Sequence, residues 1–234
     1  MKAYIAGVQG ISTVDYPKKI ASVVFLAGCN FRCRYCFNAN ILDFKEEFLK
    51  DIEFVKKEIN KNLPLIDAIV ITGGEPCLQK EATIEIAKFG RKKKLLVGIF
   101  TNGSFPLILK ELIEMRLLDF IAIDVKTILE EKAYENLTNN KIDIEKIKES
   151  IELVKRSGID YELRTTLVPS LVGKKELKLI HEQISPYKTW AWQMFRSDIG
   201  DIVDKSLVGK EFSKEEIDEI KSLSKKFENV VIRF

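Results

Sequence analysis

The sequence predicts an α/β protein built as an incomplete, TIM-like (β/α)6 barrel with a short β element in front of it. Two observations predict this. Apolar runs of strand length alternate with amphipathic helical stretches about six times, at roughly 30 residues per repeat, the period of βα units joined by right-handed crossovers. The chain has 234 residues, whereas a complete eight-unit barrel typically takes about 250. A third feature agrees with them: the residue types that carry chemistry fall where predicted strands end, which is where such barrels place their sites.

In chain order, residues 3 to 20 read as the N-terminal β element, with turns at Gly10 and near Pro17. Residues 21 to 28, from Ala21 to Gly28, are apolar enough for a buried strand. Phe48, Ile52, Val55 and Ile59 recur at helical spacing and predict a helix over about 46 to 60. Further strands are expected at 67 to 72, 95 to 101, 118 to 126, 160 to 168 and 189 to 195, with an edge strand at 230 to 233. Helices are expected at about 80 to 93, from Pro106 onward, after the cap Asp143 as far as Gly158, at about 173 to 184, and after the capping box of Ser213 and Glu216. No repeat or low-complexity linker interrupts the pattern. The expectation is one domain over 1–234, divided into the β element (1–20), the partial barrel (21–200) and a C-terminal helix with its edge strand (201–234).

Composition narrows the function classes. A hydrophobic content of 46% supports a sizeable core, and a net charge of +3 from 38 basic and 35 acidic residues implies no general affinity for nucleic acid. Neither a twenty-residue apolar run nor a basic-then-apolar leader occurs, so a cytoplasmic protein without membrane contact is expected. Three of the four cysteines crowd together, which suits metal ligation in a reducing compartment better than a disulfide framework.

Those three, Cys29, Cys33 and Cys36, follow the first barrel strand with the spacing C-x3-C-x2-C. A closed zinc site or a complete iron-sulfur cluster normally draws four protein ligands. Cys77 is the remaining thiol but lies far along the chain, and the single histidine, His181, belongs to a helical segment remote in sequence. Soft thiolates favour iron-sulfur or zinc. A loop of three at a strand end suits an open cluster, in which one iron keeps a free position, better than a zinc knuckle.

The loop, with Tyr35 just before its last cysteine, closely resembles the cluster motif of the radical S-adenosylmethionine (SAM) superfamily. The resemblance implies one [4Fe-4S] cluster per chain on Cys29, Cys33 and Cys36, with SAM chelating the fourth iron. It further implies reductive cleavage of SAM to a 5'-deoxyadenosyl radical, so that no side chain is itself the catalytic group. Gly73, Gly74, Glu75 and Pro76 resemble the family's turn for the SAM amino group, with Glu75 bracing the turn. Asp124 and Lys126, at i and i+2 on one side of a strand end, resemble the Asp-x-Lys of glycyl-radical activating enzymes, which implies Asp124 on the ribose and Lys126 on the SAM carboxylate. Those relatives often carry Asp before their Thr-Asn-Gly; here Phe100 precedes Thr101, Asn102 and Gly103, a departure that bears on the amino group and on any monovalent-cation site.

Each assignment has a plainer counterpart: ordinary turns at 73–76 and 101–103, a solvent-facing ion pair for Asp124 and Lys126, loop packing for Tyr35. Arg164 faces into or out of the barrel according to register. Facing inward it needs an anionic partner, for which the SAM carboxylate is available. Gln193 is placed to bond ribose or adenine, with core lining as the alternative for both residues. Cys77 reads as a small buried residue.

The segment from Gly10 to Pro17, the stretch from Val24 to Asn38 and Asp124-Val125-Lys126 are most similar to anaerobic ribonucleotide reductase activating proteins of the archaeal type. That resemblance implies a protein substrate, a glycyl-radical enzyme such as anaerobic ribonucleotide reductase, a flavodoxin- or ferredoxin-type reductant and an anaerobic host. The alternatives are a radical SAM enzyme for a small molecule, as in 7-carboxy-7-deazaguanine synthase, a non-catalytic iron-sulfur electron carrier, and a structural zinc protein.

Overall fold

The computed structural model describes residues 1–198 and 200–233; Ile199, within the expected barrel segment, and Phe234, in the expected C-terminal segment, lie outside the described residues. Among the described residues nine strands form one sheet. They are β1 (Lys2–Tyr16), β2 (Lys19–Leu26), β3 (Leu49–Asp51), β4 (Ala68–Gly73), β5 (Leu96–Thr101), β6 (Phe120–Asp124), β7 (Asp160–Leu167), β8 (Trp190–Met194) and β9 (Val230–Arg233), in the order β3-β1-β2-β4-β5-β6-β7-β8-β9. From β2 to β9 every pairing is parallel, and β1 joins antiparallel to β2 and β3. The order has two ends, so the sheet is a partial barrel and does not close. Helices α1 (Ile52–Asn62), α2 (Lys80–Lys92), α3 (Pro106–Glu114), α4 (Glu131–Thr138), α5 (Ile144–Arg156), α6 (Lys174–Ile184) and α7 (Lys214–Ser224) complete the fold.

Strand alternation divides the apolar residues between two sides. Val24 and Leu26, Ile69 and Ile71, Val97 and Ile99, Ile121 and Ile123 join the helices in the large core. Ala21 and Val23, Ala68 and Val70, Phe120 and Ala122 form a second cluster with Tyr16, and Phe25, Leu96 and Phe100 pack against it on the concave side. Tyr16, at the end of β1, puts its ring centroid 5.4 Å from that of Phe120. A Cβ on Gly98 would be 3.4 Å from the Tyr16 ring, so the N-terminal hairpin helps to fill the concave side of the partial barrel.

Three expectations change. Gly10 does not turn the chain: β1 runs straight through it for 15 residues, with a register shift between Gln9 and Ser12. A Cβ on Gly10 would approach Asn62 Nδ2 to 2.7 Å, so α1 packs tightly there. The helix expected from 46 begins at Ile52, because residues 49–51 pair with Lys2, Ala3 and Tyr4 and the Asp51 side chain accepts the Glu53 N–H at 2.9 Å as an N-cap. Helix α4 was not expected. It has eight residues, too few for periodicity to register, and is fixed by burial of Tyr134 and Leu137.

Candidate functional site

The ends of six strands, β2, β4, β5, β6, β7 and β8, converge on one cavity of about 330 Å³. Cys29, Cys33, Tyr35 and Cys36 line it from the loop after β2, Gly73 and Gly74 from β4, Phe100, Thr101 and Asn102 from β5, Asp124 and Lys126 from β6, Arg164 from β7 and Gln193 from β8. Of the residues expected to hold the cluster or SAM, Glu75 does not line the cavity and is completely buried, and its neighbours Pro76 and Cys77 are likewise absent from the lining.

The cysteine loop has a conformation imposed by neighbours. Cys29 N–H donates to Leu42 O at 2.9 Å, Arg32 N–H to Thr138 O at 2.8 Å and Arg34 N–H to Leu137 O at 2.9 Å, so the end of α4 holds its middle. Within the loop, Cys36 N–H donates to Cys33 O at 2.9 Å, and Phe31 N–H donates to Cys29 Sγ at 3.4 Å. Burial pushes the Cys29 thiol up to about 12 and the Cys33 thiol to about 11, with Cys36 raised as well, while the Lys126 charge pulls all three down. Thiols of this kind are protonated until a metal displaces the proton. Among the described residues, no three Cys, His, Asp or Glu side chains converge as a site for a single ion.

Gly73 and Gly74 are required by the packing of the chain against itself. Gly73 has φ +119°, and a Cβ there would stand 2.2 Å from Leu26 O; a Cβ on Gly74 would stand 2.0 Å from Gly28 O. The turn is pinned to the start of the cysteine loop by Gly74 N–H to Leu26 O and Glu75 N–H to Gly28 O, both 2.8 Å. Gly74→Ala is expected to destabilise the fold by about 1–3 kcal/mol, because two backbone segments must separate to admit the methyl group. Thermal unfolding of the metal-free protein checks this.

Glu75 braces the site from behind. Its carboxylate accepts Cys77 N–H at 3.0 Å, Thr101 Oγ1–H at 2.7 Å and Asn102 N–H at 2.7 Å, tying the turn after β4 to the turn after β5. Burial raises its pKa while these donors oppose the rise. The Asn102 side chain donates to Asn30 Oδ1 at 2.8 Å and accepts from Ser104, and Asn30 Nδ2 donates to Ser104 Oγ at 2.9 Å, so the polar atoms of Thr101 and Asn102 are engaged in joining loops. Cys77 lies in the core beneath, its Sγ 3.8 Å from Thr101 Oγ1. The histidine is elsewhere, stacked on Phe227 with ring centroids 4.0 Å apart.

Lys126 Nζ is 3.1 Å from Asp124 Oδ2 and 5.9 Å from the Tyr35 ring centroid. Burial works against its charge, and the Asp124 carboxylate beside it leads the groups that hold the ammonium well above the ordinary lysine pKa. Both residues line the cavity, the Lys126 side chain 11% exposed and the Asp124 side chain 39%. On β7, Leu163 and Leu167 enter the helix-side core, which turns Arg164 inward. Its guanidinium lies 3.6 Å from the Phe100 ring centroid and is bonded to Glu162. Glu162 also takes Arg233 of β9 in a two-pronged pair at 2.7 and 2.8 Å, and these arginines hold its pKa down against burial. Phe100 thus serves as a platform for a cation. Sequence reasoning missed Asp15, Thr72, Thr166 and Arg196, which also line the cavity. Asp15 carries no local signal, because only the fold of the hairpin brings it there.

A model of the radical SAM superfamily matches residues 23–178. The chain belongs to the radical SAM superfamily. It is 38% identical over its full length to a protein of Methanocaldococcus jannaschii described as a glycyl-radical enzyme activating enzyme, of which it covers 97%, and this places it in that family of radical SAM enzymes. It is also 26% identical to the pyruvate formate-lyase-activating enzyme of Clostridium pasteurianum, over 74% of this chain and 71% of that one. Among solved structures, a radical SAM methyltransferase from Sphaerobacter thermophilus matches 93% of the chain and 67% of its own with TM-score 0.69 at 13% identity. Streptococcus suis SuiB bound to SAM matches 88% of this chain with TM-score 0.65 at 14% identity, and the chain spans 48% of it. Those two likenesses concern the fold.

Radical SAM enzymes use a [4Fe-4S] cluster and SAM. The residues present fit both: three soft thiols at one cavity suit iron-sulfur chemistry, and a buried ammonium beside a carboxylate and two bare glycine backbones suits an amino acid group. Among the described residues no helix is long and apolar enough to cross a membrane.

Proposed function

We propose that this radical SAM enzyme generates a glycyl radical on a partner protein, an anaerobic ribonucleotide reductase being the first candidate, with an electron from a flavodoxin- or ferredoxin-type donor. The observation that carries the reading is the meeting of the cysteine loop, the glycine turn and the Asp124–Lys126 pair at one cavity, in a chain 38% identical over its length to a glycyl-radical enzyme activating enzyme. The unclosed sheet supports a protein substrate, since one side of the partial barrel lacks the strands that would bar a polypeptide loop. The likeness of the segments around 10–17 and 24–38 to reductase activating proteins supports the particular partner.

In this reading Cys29, Cys33 and Cys36 hold the cluster. Gly73 and Gly74 offer backbone to the SAM amino group, Lys126 neutralises its carboxylate, Asp124 accepts from the ribose, and Tyr35 and Gln193 flank the nucleoside. The cluster and SAM, when bound, supply a reductive cleavage that ends in abstraction of a hydrogen atom from the substrate. The chain's own residues orient and shield. Glu75, Thr101 and Asn102 keep the turns in register, and Arg164, held by Glu162 and Phe100, presents a fixed positive charge to the cavity wall. Residues 1–234 act as one domain.

Lys126→Ala is expected to weaken SAM binding about tenfold to a hundredfold, the loss of one charge-assisted bond, while iron content stays unchanged. Equilibrium binding of SAM to the reconstituted protein checks this, and equal affinity would remove the role. The reading as a whole is tested by anaerobic reconstitution, dithionite reduction and assay of 5'-deoxyadenosine with anaerobic ribonucleotide reductase from the same genome. A glycyl EPR doublet on that protein is the expected result. Cleavage of SAM with no such doublet on any glycyl-radical protein of that genome would direct the search to small substrates, and no cleavage from an intact cluster would favour an electron carrier.

A further inference from the structure

A line of side chains crosses the concave wall of the sheet from β5 to β9. Phe100 on β5 is paired in register with Ala122 on β6, and Ala122 with Glu162 on β7. Arg164, two residues beyond Glu162, reaches back across β6 and puts its guanidinium 3.6 Å from the Phe100 ring centroid. Arg233 on β9 reaches back across β8 and meets both oxygens of Glu162, with Nη1 at 2.8 Å from Oε1 and Nη2 at 2.7 Å from Oε2. The two strands that are crossed carry alanine on the concave side there. Ala122 belongs to the concave cluster, and Ala191 alternates with Trp190 and Trp192, both in the helix-side core. A methyl group leaves room for a long side chain to lie flat along the wall.

The hydrogen bonds leave one charge over. Arg164 donates Nε–H to Glu162, and its Nη1 and Nη2 make no hydrogen bond among the described residues. Trp192 Nε1 is the one sealed side-chain nitrogen or oxygen there without a partner, so the two Arg164 nitrogens open on the cavity. The Arg164 side chain is nonetheless only 8% exposed, and that of Glu162 3%. Arg233 takes both oxygens of Glu162, so the surplus positive charge of the trio rests on Arg164, and a charge held this far from water is costly until an anion meets it. Elsewhere in the lining Lys126 is matched by Asp124 at 3.1 Å, and Arg196 by Asp198 at 2.7 and 3.1 Å. Asp15, the remaining carboxylate of the lining, accepts Ser12 Oγ–H at 2.5 Å and forms no ion pair with Arg164. Neither Glu162 nor Arg233 lines the cavity, so both act through Arg164.

We propose that Glu162 and Arg233 are positioning residues that hold Arg164 flat on Phe100, with its outer nitrogens toward the cavity, as a receptor for the carboxylate of SAM. A guanidinium tied down at Nε keeps the Nη1–Nη2 edge free, and the two parallel N–H groups of that edge match the two oxygens of a carboxylate. Arg164 is thus a second cation for the group given to Lys126, whose own charge Asp124 offsets. The proposal rests on the assignment of this cavity to SAM and not on the identity of the protein substrate.

The test is anaerobic equilibrium dialysis of SAM, and of decarboxylated SAM with hydrogen in place of the carboxylate, against reconstituted wild type, Arg164→Met, Glu162→Gln and Arg233→Met. Thermal unfolding of the metal-free proteins runs alongside. The quantity read is the ratio of the two affinities, in which any contact the carboxylate makes elsewhere is common to all four proteins and cancels. The wild type should prefer SAM. Arg164→Met should lower that preference about tenfold or more, the loss of one charge-assisted pair, and Glu162→Gln and Arg233→Met about threefold to tenfold. Decarboxylated SAM should bind all four alike. Should Glu162→Gln unfold, Arg233→Met carries the test, because that side chain is 38% exposed and leaves no sealed cavity. An unchanged ratio in Arg164→Met would overturn the receptor, and one unchanged in Arg233→Met would overturn the positioning. A loss shared equally by both ligands would overturn both, since a merely structural wall acts on either ligand. A wild type that loads iron and binds neither ligand would remove SAM from this cavity, a failure of the underlying reading that is distinguishable because it appears before any substitution.

Discussion

Replacing Cys29, Cys33 or Cys36 by Ala, one at a time, is expected to abolish both iron incorporation and SAM cleavage, whereas Cys77→Ala leaves both in place. The contrast follows from position. The first three thiols line the cavity, while Cys77 is buried in the core beneath Thr101 and takes no part in the lining. With three protein ligands, loss of any one leaves two, too few to hold a cluster against solvent. Cys77→Ala removes only a sulfur from a packed site and is expected to cost about 1 kcal/mol of stability. Iron and sulfide analysis with the absorption spectrum of the anaerobic protein reads the outcome. A cluster lost from the Cys77 variant, or kept in any of the others, would redraw the ligand set.

The second large effect is expected at Glu75. Glu75→Ala removes the acceptor for three donors that no water reaches, at a cost of about 3–5 kcal/mol. For a protein of this size that corresponds to a fall in Tm of roughly 10 °C. Glu75→Gln keeps the volume but sets an amide N–H₂ against donors that now face an oxygen, and about half the loss is expected to remain. The pH dependence has a defined sign. Burial raises the folded-state pKa of Glu75 above its ordinary value of 4.5. Between those two values the folded chain binds more protons than the unfolded one, so the stability this group contributes is full below 4.5 and declines as pH rises through the raised value. Glu75→Gln abolishes that component, so the gap between wild type and variant should narrow as pH rises through the window. Denaturant titrations of the metal-free proteins across that range measure it. A constant gap would show that folding leaves the Glu75 pKa unshifted.

The two residues illustrate different kinds of legibility. The cysteines were found because their spacing is local and their chemistry is carried by residue type alone, independent of how the strands are arranged. Strands and most helices were found for a similar reason: alternation and helical periodicity record which side chains face a core, and Ile147, Ile151 and Val154 on α5 show it directly. Asp124 and Lys126 were legible because two residues two apart on a strand end share a side. Glu75 was placed in its turn by sequence, but two of its three donors are 26 and 27 residues away on another strand end.

The sequence by itself therefore determined the alternating α/β pattern, the barrel too short to close, and the positions of the cysteine loop, glycine turn and Asp-x-Lys pair at strand ends. Tertiary structure alone decided the inward face of Arg164, which depends on the register of β7 between β6 and β8. It alone decided that Phe100 carries that guanidinium, that Asp15 reaches the cavity, and that residues 201–204 lace the far earlier cysteine loop and the residues just after it. Periodicity and spacing report a residue's immediate surroundings along the chain. Contacts between distant segments depend on how the packed elements bring them together, and no local pattern records that.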